Sequence, residues 1–280
     1  MFIIIILTYI ALATGLSQFY KLTTRTMKNA AAQTVGIQLI AGLICLLFVP
    51  FFELRFPSNP LTYLFLSLSC VFYAINNYML ANVRKNLEAS VMDILKQSYT
   101  ASMTLAGFIL LGEQITLFKV LGIMAIICGN VLLFWQRKKT KNTKYVWLGL
   151  LAYACNVAAG LIDVNSSKEF NLPIYVSFVY IVPALFIFIG NRLHFTDVID
   201  EYKRANKKNL LITGICFSMQ YLVLLIAFSM SEMSVVAPLA SLSAVSNVAV
   251  GFLWLKERKH PIKKIIAATL AVIGVILIKL

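Results

Sequence analysis

The sequence predicts an all-α membrane protein whose ten transmembrane helices form two inverted five-helix repeats. Two bulk properties indicate a membrane protein. Of the 280 residues, 60% are hydrophobic and only 13% are charged, whereas an ordinary soluble protein carries about 25% charged residues. Apolar runs also recur from one end of the chain to the other. Similarity between the two halves, described below, predicts the repeat.

The apolar runs have the length of membrane crossings. A helix rises about 1.5 Å per residue, so a hydrocarbon core about 30 Å thick needs about 20 residues. The ten predicted spans are residues 2–19, 32–52, 61–82, 88–111, 116–136, 145–165, 172–191, 208–230, 233–255 and 262–279. Whole segments are apolar rather than alternating, which favours helices over a β-barrel. The first span lacks the basic start of a signal peptide, so we interpret it as a retained helix.

Basic residues are sorted by loop, and this sorting predicts the orientation. The net charge is +14, and the loops that join spans one to two, three to four, five to six, seven to eight and nine to ten hold twenty Lys and Arg residues. The opposite side holds four. The positive-inside rule places the rich loops in the cytoplasm and both termini outside. The basic runs are expected to face anionic lipid rather than nucleic acid. The compact loops favour a bacterial inner membrane.

No pattern in the sequence indicates catalysis, a metal or a cofactor. Each of the five cysteines falls within a predicted span, without a CxxC pair or a histidine partner, and is expected to be a packing thiol. These are Cys45, Cys70, Cys128, Cys155 and Cys216. No span carries a nucleophile–base set, and the chain has no Walker motif. An enzyme and an ATP-driven transporter are therefore both disfavoured.

An offset of 144 residues reveals the internal repeat. It sets residues 88–113 on residues 232–257 with nine of 26 positions identical, and it sets Tyr9 on Tyr153 and Asn76 on Gln220. Each half holds five spans. Because five is odd, the second half must enter the membrane inverted relative to the first, as in many secondary transporters. The predicted domains are a first repeat over 1–136, a basic cytoplasmic linker over 137–144, and a second repeat over 145–280.

Two passages resemble the ends of EamA-type domains of the drug/metabolite transporter superfamily. They are "GFILLGEQITLFKVLGIMAIICGNVLL" and "GFLWLKERKHPIKKIIAATLAVIGVIL", with matching glycines and a matching acidic residue at the end of the fourth or ninth span. "VVAPLASLSAV", with its proline, also matches. This resemblance covers essentially the whole chain and implies a transporter fold. A further passage, "YAINNYMLANVRKNLEASV", is similar to the third-to-fourth helix region of nucleotide-sugar transporters.

The fourth span carries a polar stripe. Asp93, Lys96, Gln97, Thr100 and Thr104 share one helix face. A charge at the bilayer centre costs about 2.5–3.5 kcal/mol, and a helical ion pair returns only about 0.2–0.5 kcal/mol. The stripe therefore indicates a substrate or proton pathway, with a packing pair as the alternative. Lys96 would bind a carboxylate or phosphate, and Asp93 an ammonium group or a proton.

Polar residues on other spans point toward the same depth. The further candidates for substrate binding are Tyr9, Asn76, Asn77, Tyr153, Asn156, Gln220, Ser241 and Asn247. Interhelical hydrogen bonding is the alternative for each, and the two tyrosines could form aromatic walls for a cation. Pro238 is a candidate hinge because it frees the Ser234 carbonyl. Asp163 lies near a helix end and is expected to be interfacial.

The leading functional prediction is a secondary transporter that moves a small polar metabolite through a central cavity by alternating access. An amino acid or a related zwitterion or anion suits an Asp/Lys pair, and protons are a candidate coupling ion. A nucleotide-sugar-like or cationic drug transporter stays open, and so does a non-transporting sensor or structural subunit. The fifth and tenth spans have apolar centres. They are expected to face lipid or to form a dimer seam, so a monomer and a homodimer both stay open.

Overall fold

A computed structural model describes residues 1–24, 28–87, 89–134, 143–253 and 261–279. These described residues are 87% helical and contain no strand. The α-helices are α1 (Phe2–Thr24), α2 (Ala30–Leu46), α3 (Pro60–Asn86), α4 (Ala89–Leu110), α5 (Leu117–Phe134), α6 (Thr143–Ser166), α7 (Leu172–Gly190), α8 (Phe195–Arg204), α9 (Lys207–Met230), α10 (Met233–Ser241), α11 (Ser243–Leu253) and α12 (Pro261–Lys279).

Helix lengths support an integral membrane protein but differ from ten uniform spans. Within the described ranges, five segments are long and apolar enough to cross a membrane: Phe2–Tyr20, Pro60–Leu80, Thr143–Glu169, Leu172–Gly190 and Lys207–Met230. Four apolar segments are shorter: Ala30–Leu46, Leu117–Leu132, Met233–Asn247 and Ile265–Ile278. The prediction of an all-helical membrane protein is confirmed, and the prediction of ten spans stays a prediction.

Two features of the helix pattern were not predicted. A short amphipathic helix, α8, lies between α7 and α9, and the predicted ninth span is interrupted at Leu242 between α10 and α11. The interruption has a local cause. The Ser241 hydroxyl donates to the Pro238 carbonyl at 2.6 Å, and the Leu242 amide bonds to Leu239 instead, at 3.2 Å. A side chain thus replaces one backbone bond of the helix.

Asparagine side chains fix where four helices begin. In each case the side-chain oxygen accepts from backbone amides of the first turn, which satisfies donors that have no partner within the helix. These caps are Asn29 for α2, Asn59 for α3, Asn171 for α7 and Asn206 for α9. The predicted linker over 137–144 lies mostly outside the described residues, although α6 begins within it at Thr143.

The principal helix contacts join the two halves of the chain. The closest pairs are α1 with α9, α2 with α7, α3 with α6, and α5 with α12, and α4 packs on α10. Thr23 contacts Thr213 at 3.0 Å and Tyr9 contacts Gln220 at 3.2 Å, so α1 and α9 run antiparallel. Exchanging the halves converts the α1–α9 pair into the α6–α3 pair. The core therefore lies between the halves rather than within each one.

Glycines bring α5 and α12 into close contact. A Cβ atom built on Gly274 would lie 2.5 Å from the carbonyl oxygen of Gly122, and one built on Gly122 would lie 2.6 Å from that of Gly274. Two turns further along α5, Gly129 faces Ala267 of α12. Small residues allow such close packing of membrane helices. Helices α5 and α12, the predicted fifth and tenth spans, thus pack on each other within one chain. The sequence led us to expect contact with lipid or a dimer seam and did not predict this contact.

Charged side chains close the bundle at the end where α3, α5, α7 and α10 begin, which we name the closed end. The Glu113 carboxylate accepts from the backbone amides of Met233, at 2.6 Å, and Ser234, at 2.9 Å. It thereby caps the positive N-terminus of α10. The buried Lys119 forms an ion pair with Glu232. These contacts join α5 and the end of α4 to α10.

The α3 and α7 side of the closed end is held in the same way. The Thr62 hydroxyl donates to Glu169 at 2.8 Å. The Asn171 amide group donates to the carbonyl oxygens of Phe52 and Glu53 at 3.2 and 3.1 Å. The loop before α3 is thereby fixed on the start of α7. By the charge distribution of the loops, the closed end is the predicted extracytoplasmic end.

Candidate functional site

A buried carboxylate lies at the meeting point of four helices. Asp163 is fully buried. Its Oδ1 atom accepts from the Ser69 hydroxyl at 2.5 Å and the Tyr175 hydroxyl at 2.6 Å. Its Oδ2 atom accepts from the Tyr73 hydroxyl at 2.9 Å and from the Tyr221 hydroxyl. We call these five residues the Asp163 cluster.

The expectation that Asp163 is interfacial is wrong. Asp163 is close to the end of α6 along the chain, but α3 and α7 pack over this end, and Asn171 holds the start of α7 against the loop before α3. Burial at this position therefore depends on neighbouring helices. The sequence did contain a signal, because Asp163 lies ten residues after Tyr153 and seven after Asn156, on the same helical stripe.

The Asp163 cluster joins the two halves of the chain. Ser69 and Tyr73 lie one turn apart on α3, whereas Tyr175 lies on α7 and Tyr221 on α9. The hydroxyl oxygens of Tyr73 and Tyr221 are 2.7 Å apart, and the two rings meet edge to face with centroids 6.2 Å apart. A change in the hydrogen bonds of this cluster would thus act directly on the contact between halves.

Two amide side chains lie beside the tyrosine pair. Asn76 is one turn after Tyr73 on α3, and Gln220 adjoins Tyr221 on α9. Asn76 donates to Asn77 at 3.3 Å, and Gln220 donates to the Tyr9 hydroxyl at 3.2 Å. The side-chain carbonyl oxygens of Asn76 and Gln220 are buried, and neither has a hydrogen-bond partner in the part of the chain that the structure describes. Leaving a buried carbonyl oxygen without a hydrogen-bond partner costs about 1–3 kcal/mol of folding free energy.

Lys96 is exposed even though it lies on the protein-facing side of α4. Thr100 and Met103, one and two turns further along the same face, are buried. Met103 also packs against Gly160 of α6. Leu105, nine residues or about two and a half turns from Lys96, lies on the opposite face and is 56% exposed. The exposed apolar face of α4 is therefore the face of Leu105. Lys96 lies on the other face, so lipid contact does not explain its exposure.

The remaining predicted residues on α3, α4 and α6 differ in their burial. Gln97 and Thr100 are buried, and the side chain of Asp93 lies outside the described ones. Tyr153 is buried in a cluster with Leu80 and Leu95. Asn77 and Asn156 are half-buried, so both stay candidates for lining a cavity.

The predicted residues on the ninth span divide into a structural and an open group. Ser241 accepts from the Asn130 side chain at 2.9 Å and donates to Pro238, so its hydroxyl holds α5 on the end of α10. Pro238 lies inside α10, one turn before the interruption. The half-buried Asn247 has a buried Oδ1 atom without a partner among the described residues. The described residues also contain no group of His, Cys, Asp and Glu suited to a metal.

Comparison with known proteins relates the first half of the chain to a transporter family and the whole chain to a known fold. Residues 1–135 match the model of the EamA-like transporter family. No curated protein matches the sequence. A solved crystal structure superimposes with a TM-score of 0.78 over 98% of this chain and 94% of that chain, at 16% sequence identity. At this identity the likeness shows the fold alone, and it extends over both halves.

Proposed function

Because residues 1–135 match the model of the EamA-like transporter family, part of the drug/metabolite transporter superfamily, we propose that this integral membrane protein is a secondary transporter of a small polar metabolite. The solute binds in a central cavity between the halves. Alternating access carries it across the membrane. We propose ten spans in two inverted repeats as the framework for this movement.

The observation that carries the proposal is the pair of buried carbonyl oxygens on Asn76 and Gln220. The 144-residue offset relates these two positions, and both oxygens lack a partner among the described residues. Structures rarely leave such acceptors unsatisfied unless a ligand or water fills the place. A solute with N–H or O–H donors would satisfy these acceptors. Asn76 lies one turn after Tyr73 and Gln220 next to Tyr221 along their helices, and the hydroxyls of the two tyrosines are in contact.

Lys96 extends the solute class to anions and zwitterions. Its exposure on the inner face of α4 fits a cleft between helices, where an ammonium group can bind a carboxylate or phosphate. An amino acid or a related metabolite combines such an anionic group with N–H donors. Lys96 lies one turn from Tyr99, whose hydroxyl approaches Gly160 of α6. Gly160 lies three residues before Asp163 on the same helix.

The ends of the bundle support alternating access. Glu113, Lys119, Glu169 and Asn171 form contacts across the closed end. Lys96 is exposed nearer the other end. This combination corresponds to one access state, in which the cleft is open toward the predicted cytoplasm. Antiparallel pairing between the halves and the discontinuous ninth span are features of inverted-repeat transporters.

A thermal-shift screen of the purified full chain tests solute binding. We expect one member of a panel of amino acids, phosphorylated metabolites, nucleotide sugars and quaternary amines to raise the unfolding temperature. A ligand at 100 times its Kd adds about 2.7 kcal/mol. Asn76→Leu should remove the shift, and Asn82→Leu, on the exposed face of the same helix, should retain it. A flat response to every class would favour the sensor or structural alternative.

Thiol labelling in membrane vesicles tests the orientation. We expect Lys139→Cys and Lys203→Cys to react with an impermeant reagent only from the cytoplasmic side, because both lie in the basic connections between predicted spans. Ser58→Cys, at the closed end, should react only from the opposite side. Each variant is compared with the parent chain, whose Cys128 is exposed. Reversed labelling would show that the charge distribution had been misread.

A further inference from the structure

We propose that Asp163 is the proton-binding group that couples transport to a proton gradient. This inference deepens the proposed transport function and rests on it. The sequence had pointed to Asp93 on α4 as the candidate proton carrier. The structure points instead to a carboxylate at the contact between α3, α6, α7 and α9.

The hydrogen-bond geometry of the cluster suits an Asp163 anion. A carboxylate accepts hydrogen bonds and donates none, and each of the four hydroxyls can point its proton at it. A protonated carboxyl group must itself donate through one oxygen, where a hydroxyl now donates. At least one of these contacts would therefore break or reverse when Asp163 gains a proton.

Neutral partners leave the charge of Asp163 free to change. Every hydrogen-bond partner of Asp163 in the described residues is a hydroxyl. The titratable groups that face it are Cys70 and Tyr73 on α3, Tyr99 on α4, Tyr175 and Tyr180 on α7, and Tyr221 on α9. Cysteine and tyrosine ordinarily ionise above neutral pH. Asp163 is thus the one carboxyl group in this set, and the group we propose exchanges the proton.

Protonation would act on the contact between halves. The step is the addition of one proton to the carboxylate, which gives a neutral carboxylic acid and breaks no covalent bond. The contacts that weaken join α6 to Ser69 and Tyr73 of the first half, and to Tyr175 and Tyr221 of the second. Because α3 and α7 also form one side of the closed end, proton uptake there would loosen that side. Return of the proton to the opposite side would restore the closed end.

Infrared difference spectroscopy of the reconstituted full chain tests this without any solute. Acidification should produce the carbonyl band of a protonated carboxylic acid in a water-poor environment. Asp163→Asn should remove this band, and Asp200→Asn, which changes an exposed carboxylate on α8, should retain it. A band that survives in Asp163→Asn, or no band in the parent chain, would overturn the inference. Solute binding in the thermal-shift screen would be unaffected by that failure.

Tyr175→Phe keeps the carboxylate and removes one of its donors, which guards against a variant that fails to fold. Loss of a hydrogen bond to the charged form should move the midpoint of the band to higher pH by about one to two pH units. An unmoved midpoint would contradict the proposed hydrogen-bonded anion.

Hydrogen exchange adds a conformational readout. Acidified parent chain and Asp163→Asn should show the same faster exchange in α3 relative to the ionised parent, and unequal patterns would argue against coupling.

Discussion

Lys96→Ala is expected to abolish solute uptake in proteoliposomes while the protein remains folded. A hydrogen-bonded ion pair with a carboxylate or phosphate contributes about 1.5–3 kcal/mol. Its loss would lower solute affinity by about ten- to 150-fold. Because Lys96 is exposed, its truncation removes little buried apolar surface. The melting temperature without solute should therefore stay near that of the parent chain.

Two variants separate a binding role from a general effect of charge. Lys96→Arg keeps the positive charge and should retain part of the uptake, although a guanidinium places its donors differently from an ammonium group. Lys168→Ala removes an exposed lysine near the closed end and should transport normally. Normal uptake by a folded Lys96→Ala protein would remove Lys96 from the proposed solute site.

Gly274→Leu is expected to destabilise the protein by more than about 3 kcal/mol. Even a single Cβ atom at this position would lie 2.5 Å from the Gly122 carbonyl and 2.5 Å from an Ile126 side-chain carbon. Overpacking in a tight core costs about 1–3 kcal/mol and occasionally more, and the backbone of α5 cannot rotate away as a side chain can. Denaturation of the purified protein in detergent measures the loss.

A glycine in a looser setting provides the control for this effect. Alanine favours a helix over glycine by about 0.8–1.0 kcal/mol, so Gly→Ala would stabilise a helix that had room for it. Gly36 in α2 has room, since its nearest neighbour would be a Val198 carbon at 3.7 Å. Gly36→Ala should be neutral or stabilising, and Gly274→Ala destabilising. Equal effects would contradict a tight α5–α12 crossing.

The sequence predicted what depends on composition and local pattern. The all-helical membrane class follows from long apolar runs, and the EamA resemblance was confirmed for residues 1–135. The same apolar runs predict spans of about 20 residues each, whereas the helices differ in length. The interruption at Leu242 depends on the Ser241 side chain binding the Pro238 carbonyl, a choice between hydrogen bonds that hydropathy does not register.

The site was predicted less well because burial is a property of the packed bundle. The stripe on α4 predicts a role for Lys96, but only the packing of its neighbours shows that Lys96 is exposed on the face that packs against the protein. Asp163 was assigned to the interface from its distance to a helix end. Its actual environment is set by Tyr175 and Ser69, which lie 12 and 94 residues away in sequence. No local pattern contains that information.

The interruption at Leu242 has a counterpart position in the first half, where α4 continues unbroken from Ala89 to Leu110. Two identical halves would give the inward-facing and outward-facing forms equal free energy, so an empty carrier would rest in either one. Here one half carries a break that the other lacks. In the proposed alternating-access cycle, this difference would bias the resting orientation, and the solute and any coupling ion would act on an equilibrium that is already unequal.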